Sequence, residues 1–188
     1  MRPIIYIASF AIFAACLPEA SQLLNETDRV NSDRQAKIES MISGFENEVP
    51  VPTMTVSELQ NGLQNAASDY VVVDVRDEEE RRVSVIPGAI SQSEFESGLN
   101  SRYKNKKIVP YCTIGYRSMK YTKELKNKGL EAYNLRGSIL SWVHSGAEVV
   151  SPSSQQPTKE VHVYGDKWKL APAGYNMHIK ESWLSSWF

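Results

Sequence analysis

Net charge is nearly absent from this chain. Its formal charge at pH 7 is −1, so it lacks the basic face that neutralises phosphates, and a nucleic-acid binder is not expected. No block of like charge is long enough for an interaction tail. The nearest, Asp77-Glu78-Glu79-Glu80, is followed at once by Arg81-Arg82 and reads as a solvated turn or helix start. Histidine is scarce. His144, His162 and His178 show no metal-ligand spacing with one another or with Cys112, so they read as surface or packed residues and no metal site is expected. No internal repeat is visible. The uncharged run Ile4 to Ala15 falls short of the ~20 apolar residues that span a bilayer. Cysteine is almost missing too, with only Cys16 and Cys112. What is present fits a soluble globular protein with a real core: 41% hydrophobic and 23% charged residues.

The N-terminal run has the size of a signal-peptide hydrophobic region behind the positive start Met1-Arg2. It ends in Phe13-Ala14-Ala15-Cys16, which resembles the lipobox of bacterial lipoproteins, with Phe13 where Leu is usual. The resemblance makes Cys16 a lipidation candidate and implies an exported protein, periplasmic or anchored to the cell envelope. Cleavage near Ala20 and an uncleaved anchor remain alternatives. If Cys16 is lipidated or removed, Cys112 is left as a free thiol that cannot form an internal disulfide.

Residues 1–20 are therefore expected as a signal or anchor, and 21–52 as a tether followed by a helix. The tether is the polar stretch 21–31. Over 32–45, Ile38, Met41, Ile42 and Phe45 fall on one helical face, with Ser32 or Asp33 as cap and Gly44 near the end. A domain over 53–148 follows. Thr55-Val56-Ser57-Glu58 fits a capping box, and Ser93-Glu94-Phe95-Glu96 is a second candidate. Tyr70 to Val75 is a β-branched run apolar on both faces, which predicts a strand buried in a parallel sheet. Ile86 to Ile90 predicts a turn entering a short strand, and Lys107 to Tyr111 another strand, in which Pro110 is expected to end the pairing. Ser118 to Lys128 predicts a helix stopped by Gly129. Ala132 to Leu135 predicts a strand, and Ile139 to His144 a short helix with Trp142 in the core. Alternating strands and helices imply an α/β fold with a parallel sheet. Residues 149–188 read as a polar linker, Ser151 to Thr158, and an aromatic-rich extension. In it Val161 to Tyr164 alternates like a strand, and Trp168, Leu170, Tyr175, Trp183, Leu184, Trp187 and Phe188 are expected to dock on the domain or on a protein partner.

Four pieces in order carry the chemistry: Asp74-Val75-Arg76; Ile86-Pro87-Gly88-Ala89; Cys112-Thr113-Ile114-Gly115-Tyr116-Arg117-Ser118; and Asn134-Leu135-Arg136-Gly137-Ser138-Ile139 with Trp142. Over roughly residues 53–146 this resembles the rhodanese family of single-domain sulfurtransferases. Ser84-Val85 stands where many relatives have Gly-His, and Ser138 replaces a common second Gly. The resemblance implies a three-layer rhodanese-like fold, with Cys112 as nucleophile and neither metal nor organic cofactor. It implies a persulfide on Cys112, formed from a small donor such as thiosulfate or a persulfide and discharged to a thiol acceptor.

Physical chemistry of the loop supports the same residues. A free Cys titrates near ~8.5, yet the thiolate is the nucleophile. Backbone N–H groups from Thr113 to Ser118 would form an anion nest, and the following helix adds its positive end. Gly115 permits the backbone, Arg117 adds charge, and Ser118 can cap the helix and donate from its hydroxyl. Thr113, Ile114 and Tyr116 are uncharged, which favours a less charged persulfide or polysulfide donor over thiosulfate. Asp74 and Arg76 read as structural support, the first accepting loop N–H groups and the second pairing with an acid such as Glu80. Three alternatives stay open. A non-catalytic sulfur-carrier or binding module is suggested by the aromatic extension. A phosphatase of the Cdc25 type would resemble the same fold, but it uses five residues between Cys and Arg, where Cys112 and Arg117 are separated by four, and this loop holds no Asp or Glu as general acid. An inert buried thiol would explain the strand but not the Gly, Arg and Ser behind it.

Overall fold

The computed structural model describes residues 17–179, with no side-chain description for 17–24 and 67. The leader-like run, Cys16, Trp183, Leu184, Trp187 and Phe188 lie outside the described residues. No helix among the described residues is long and apolar enough to cross a membrane.

The described residues open with a long helix, α1 (Leu17–Glu48). The helix expected over 32–45 therefore begins earlier, and the stretch read as a tether is helical. Ser32 and Asp33 lie in its interior and cap nothing. Apolar periodicity marks only the half of α1 that docks by Ile38 and Ile42, both buried in the core. Upstream, α1 holds the later chain by polar contacts that leave no apolar pattern: Arg34 donates to the Ala171 carbonyl at 2.5 Å, and Asn31 Oδ1 accepts from the Ala173 N–H at 2.8 Å.

The domain is built on parallel strands. Strand β1 (Thr53–Met54) leads into helix α2 (Val56–Ala66). The capping box forms there: the Thr55 N–H donates to Glu58 and the Glu58 N–H to Thr55 Oγ1. Strand β2 (Tyr70–Asp74), helix α3 (Glu78–Val83), strand β3 (Ile90–Ser91) and helix α4 (Gln92–Gly98) follow. The N-cap of α4 is Ser91, whose hydroxyl accepts from the Glu94 N–H, and not Ser93. Strand β4 (Lys107–Tyr111), helix α5 (Tyr116–Asn127), strand β5 (Asn134–Leu135) and helix α6 (Ser138–His144) complete the domain. Gly129, at φ +76°, closes α5 as a left-handed residue that carries no Cβ penalty.

The sheet order is β3-β2-β4, every pair parallel. A bridge from Ile108 to Ala132 continues it toward β5, which pairs with β1. Strand residues alternate between two cores, which makes the domain three-layered. Val71, Val73 and Ile108 face one core with Phe95 of α4 and Leu125 of α5. Val72, Val109 and Tyr111 face the other, with Ile42 of α1, Leu59 of α2 and Ile139 of α6. Burial on both faces is why these strands read as unbroken apolar runs.

Pairing does not end at Pro110, which is opposite Val73, and Tyr111 is opposite Asp74. Successive strand residues aim their N–H groups to opposite sides. Ile108 donates toward Glu131, away from β2, so Pro110 faces that side as well. There the contact to the next strand is confined to the Ile108 bridge, and a missing N–H leaves no ladder bond unmade.

The stretch read as a linker is a closed hairpin, β6 (Val149–Val150) against β7 (Pro157–Thr158). Beyond it, β8 (Glu160–His162) pairs in parallel with β9 (Asn176–His178). Val161, Val163, Leu170 and Tyr175 enter the core that also holds Ile42 and Val109.

Candidate active site

The site forms where β4 ends and α5 begins. Two anchors fix the end of β4. The Tyr111 hydroxyl donates to Asp74 at 2.5 Å, and the Ile86 N–H donates to the Tyr111 oxygen at 3.2 Å. Arg76 holds Asp74 with two side-chain bonds at 2.9 and 2.7 Å and donates to the Ser84 carbonyl at 2.7 Å. Asp74 and Arg76 thus brace the strand ends away from the sulfur. Asp74 also accepts from the Arg76 N–H, as a loop-binding carboxylate would. Arg76 pairs with Asp74, not with Glu80 as the sequence suggested, because both Asp74 and Arg76 lie at the end of β2, two residues apart.

Cys112 follows at once, 2% exposed. Its N–H donates to Ser138 Oγ at 3.0 Å, and its carbonyl accepts from the Ile139 N–H at 3.2 Å. The first turn of α6 therefore clamps the loop from behind, since those N–H groups have no partner inside their own helix. Ser138 sits at φ +52°, a left-handed position where glycine is preferred. Its hydroxyl compensates by receiving the Cys112 N–H.

The sulfur is surrounded by donors. The Gly115 N–H donates to Sγ at 3.2 Å, and the Ser118 hydroxyl lies 3.7 Å away. Gly115, at φ +124°, adopts the backbone that turns its N–H inward, a conformation that a side chain would oppose. It is also the N-cap of α5, so Tyr116, Arg117 and Ser118 form the helix's first turn. Ser118 is accordingly not the cap. It is fully buried, and its oxygen lies 2.6 Å from Asn134 Oδ1 and 3.0 Å from the Gly115 carbonyl, so the sulfur shares its one proton with stronger acceptors.

Burial pushes the Cys112 thiol up, but the Arg117 charge and the Ser118 and Gly115 donors outweigh it, and the net shift is downward. Arg117 does not stand free beside the sulfur, however. Its guanidinium makes a bidentate pair with Glu80 at 2.7 and 2.8 Å. Glu80 is 1% exposed and also accepts from the Asp77 N–H at 3.1 Å and from the Thr113 hydroxyl at 3.2 Å. Burial raises its pKa, and the Arg117 hydrogen bonds and charge bring it below the usual carboxylate range. Glu80 is thus no solvated residue of a charged run but the buried partner of the loop arginine. Its signal was in the sequence: Asp77 and Glu80 have capping-box spacing, which turns Glu80 back against its helix start.

Above Cys112 is a cavity of about 220 Å³. Thr113, Ile114, Tyr116 and Arg117 line it from the loop, and Tyr164, Lys167 and Trp168 line it from beyond the domain. The structure brings all the loop candidates together at the sulfur: Thr113, Ile114, Tyr116 and Arg117 line the cavity, while Gly115 and Ser118 approach Sγ itself. Tyr164, Lys167 and Trp168 were not among the sequence candidates. Their signal was the surplus of aromatics after residue 160, which predicted docking but no position.

A protein-family model described as a rhodanese-like domain matches residues 55–145. A tRNA sulfurtransferase of Desulfurococcus amylolyticus is 34% identical over 88 residues, which cover 47% of this chain and 18% of that protein. The putative sulfurtransferase YtwF of Bacillus subtilis is 30% identical over 79 residues, covering 41% of this chain and 77% of that one. The crystal structure of a thiosulfate sulfurtransferase from Pseudomonas aeruginosa superposes with a TM-score of 0.51 at 21% identity, covering 64% of this chain and 24% of that one, which shows a shared fold. The chain spans less than half the length of several curated relatives that it matches.

Proposed function

The chain belongs to the rhodanese-like family, and on that footing we propose that it moves a sulfane sulfur from a small donor to a thiol acceptor through a persulfide on Cys112. The Cys112 thiolate attacks the outer sulfur of the donor. A sulfur–sulfur bond forms to Cys112, and the bond to the rest of the donor breaks with its electron pair, releasing sulfite from thiosulfate or a thiolate from an organic persulfide. An acceptor thiolate then attacks the outer sulfur, takes it as a new persulfide, and returns the Cys112 thiolate. The observation that carries this reading is the buried Cys112 sulfur facing a cavity and receiving the Gly115 N–H, with its pKa held down despite burial. The same donors serve the negative charge of the persulfide, so one loop suits both halves of the cycle.

The four-residue spacing from Cys112 to Arg117 supports sulfur over phosphoryl chemistry. So does the engagement of Arg117 with Glu80, whose carboxylate already takes both terminal nitrogens and would have to be displaced by a phosphate dianion. Intact mass after incubation with thiosulfate and, separately, with an organic persulfide tests the proposal. The expected gain is about 32 Da, one sulfur atom, removed by a reductant and absent in Cys112→Ser. No gain with either donor overturns it, as does Cys112-dependent release of phosphate from an aryl phosphate.

A further inference from the structure

The wall of the Cys112 cavity is not completed by the family domain. It is completed by the turn Tyr164 to Trp168, which lies beyond the matched residues 55–145. That turn is built to hold a shape. Tyr164 sits at φ +67°, a strained position for an aromatic residue, and its N–H donates to His162 Nδ1 at 3.1 Å. The residue is 48% exposed, and its ring centroid stands 5.0 Å from the Arg117 guanidinium. The Trp168 ring packs 6.3 Å from Phe45 of α1, which is itself 5.1 Å from the Tyr116 ring. Three separate parts of the chain thus fix one aromatic wall. Leu170, buried two residues on, anchors the turn to the core.

The charges at this wall point to one kind of occupant. Arg117 is engaged by Glu80, and Asp166 by Lys169 at 2.7 Å. Lys167, 4.5 Å from the Trp168 ring centroid, has no ion-pair partner among the described residues. A cavity of about 220 Å³ has room for a single ring, since a dry protein cavity of roughly 150 Å³ accepts benzene. From this geometry we infer that Tyr164, Lys167 and Trp168 make the site selective for sulfur donors with a flat apolar body and one negative charge, over the compact thiosulfate dianion. The inference rests on the sulfur-transfer reading above and names its substrate class. An aryl thiosulfonate is the matching donor. The Cys112 thiolate takes its outer sulfur, the sulfur–sulfonyl bond breaks, and its electron pair leaves on an aryl sulfinate.

The test compares benzenethiosulfonate with thiosulfate in the full chain. We expect kcat/KM for the aryl donor to exceed that for thiosulfate by about tenfold or more. Trp168→Ala and, at the exposed position, Tyr164→Ala should each lower that ratio by about tenfold. A second arm needs no turnover: calorimetric binding of benzenesulfinate to Cys112→Ser, expected to weaken about tenfold with added Trp168→Ala and several-fold with added Lys167→Gln. Sulfur loading with a ratio that neither wall variant changes overturns this inference and leaves Cys112 chemistry standing. Loading from neither donor overturns the transfer reading; the sulfinate arm then decides the wall, which survives only if binding depends on Trp168 and Lys167.

Discussion

At the scale of single residues, Cys112 is set by opposed influences of known sign. Burial alone would keep its thiol protonated at neutral pH, and Arg117 with the Ser118 and Gly115 donors reverses that. Half-maximal alkylation of Cys112 by iodoacetamide should therefore fall below the ~8.5 of a free thiol. Arg117→Met removes the strongest favourable influence and should move that midpoint upward, with the rate at pH 7 dropping about tenfold for each unit moved. A midpoint at or above the free value in the unaltered protein would contradict the geometry. Cys112 was identifiable in the sequence because Gly115, Arg117 and Ser118 follow it. The partner of Arg117 was not, because Asp74, Asp77, Glu78, Glu79 and Glu80 lie close to one another and far from the loop in sequence, so order alone does not choose among them. Only the fold decides that Arg76 takes Asp74 while Arg117 takes Glu80.

At the scale of elements, helix α6 does as much for the loop as β4 does. Its N-cap is Gly137, φ +69°, and a Cβ there would lie 2.6 Å from Ser141 Cβ and 3.0 Å from Ile42 Cδ1. Gly137→Ala therefore combines backbone strain with overpacking between α1 and α6. A loss of ~2–4 kcal/mol is expected in urea unfolding. Sulfur loading should slow as well, because Ser138 and Ile139 hold the Cys112 backbone. A change within about 0.5 kcal/mol, ordinary for surface positions, would show that α6 tolerates the shift. Elements with a strong local cause were readable before folding: β2 and β4 from burial on both faces, α2 from its capping box, the end of α5 from Gly129. Elements whose cause is non-local were harder to read. Strand β1 has two residues, too few for any period to show, and it exists because a parallel neighbour lies beside it; β3 and β5 are as short, yet the turn Ile86 to Ile90 and the run Ala132 to Leu135 marked their places. Before Ile38, α1 docks through Asn31 and Arg34, and polar contacts leave no apolar stripe.

At the scale of the whole molecule, α1 and the segment after residue 160 close over one side of the domain, and that seam should be sensitive to acid. Ile42, buried between α1 and α6, measures how far the closure matters: Ile42→Ala should cost ~2–5 kcal/mol in urea unfolding, at an unchanged slope. The seam also holds a buried histidine, His162, and a half-buried one, His144. His144 Nε2 lies 2.7 Å from the Leu170 carbonyl, and burial lowers its pKa despite that bond, with Arg34 repelling its charged form. His162 packs 3.7 Å from Glu80, and burial again lowers its pKa, with the nearby Arg76 and His178 opposing the charge and Glu80 and Glu79 favouring it. Nδ1 of His162 accepts the Tyr164 N–H, so a proton placed there would break the bond that shapes the cavity wall. The sign follows from linkage. In the unfolded chain both rings take up protons as pH falls through ~6.5, while in the folded chain they resist until lower pH. The unfolded state then binds more protons, so stability is full above ~6.5 and declines as pH falls below it. Glu80, depressed in the folded state, acts in a separate window, stabilising above ~4.3 and losing that contribution as pH falls further. The urea midpoint should thus decline in two stages on acidification. His162→Gln should shrink the upper stage, His144→Gln should do the same, and the double variant should nearly abolish it while leaving the lower stage in place. A midpoint independent of pH between about 7 and 5, or an upper stage unaltered in the double variant, would show that the seam does not depend on neutral histidines.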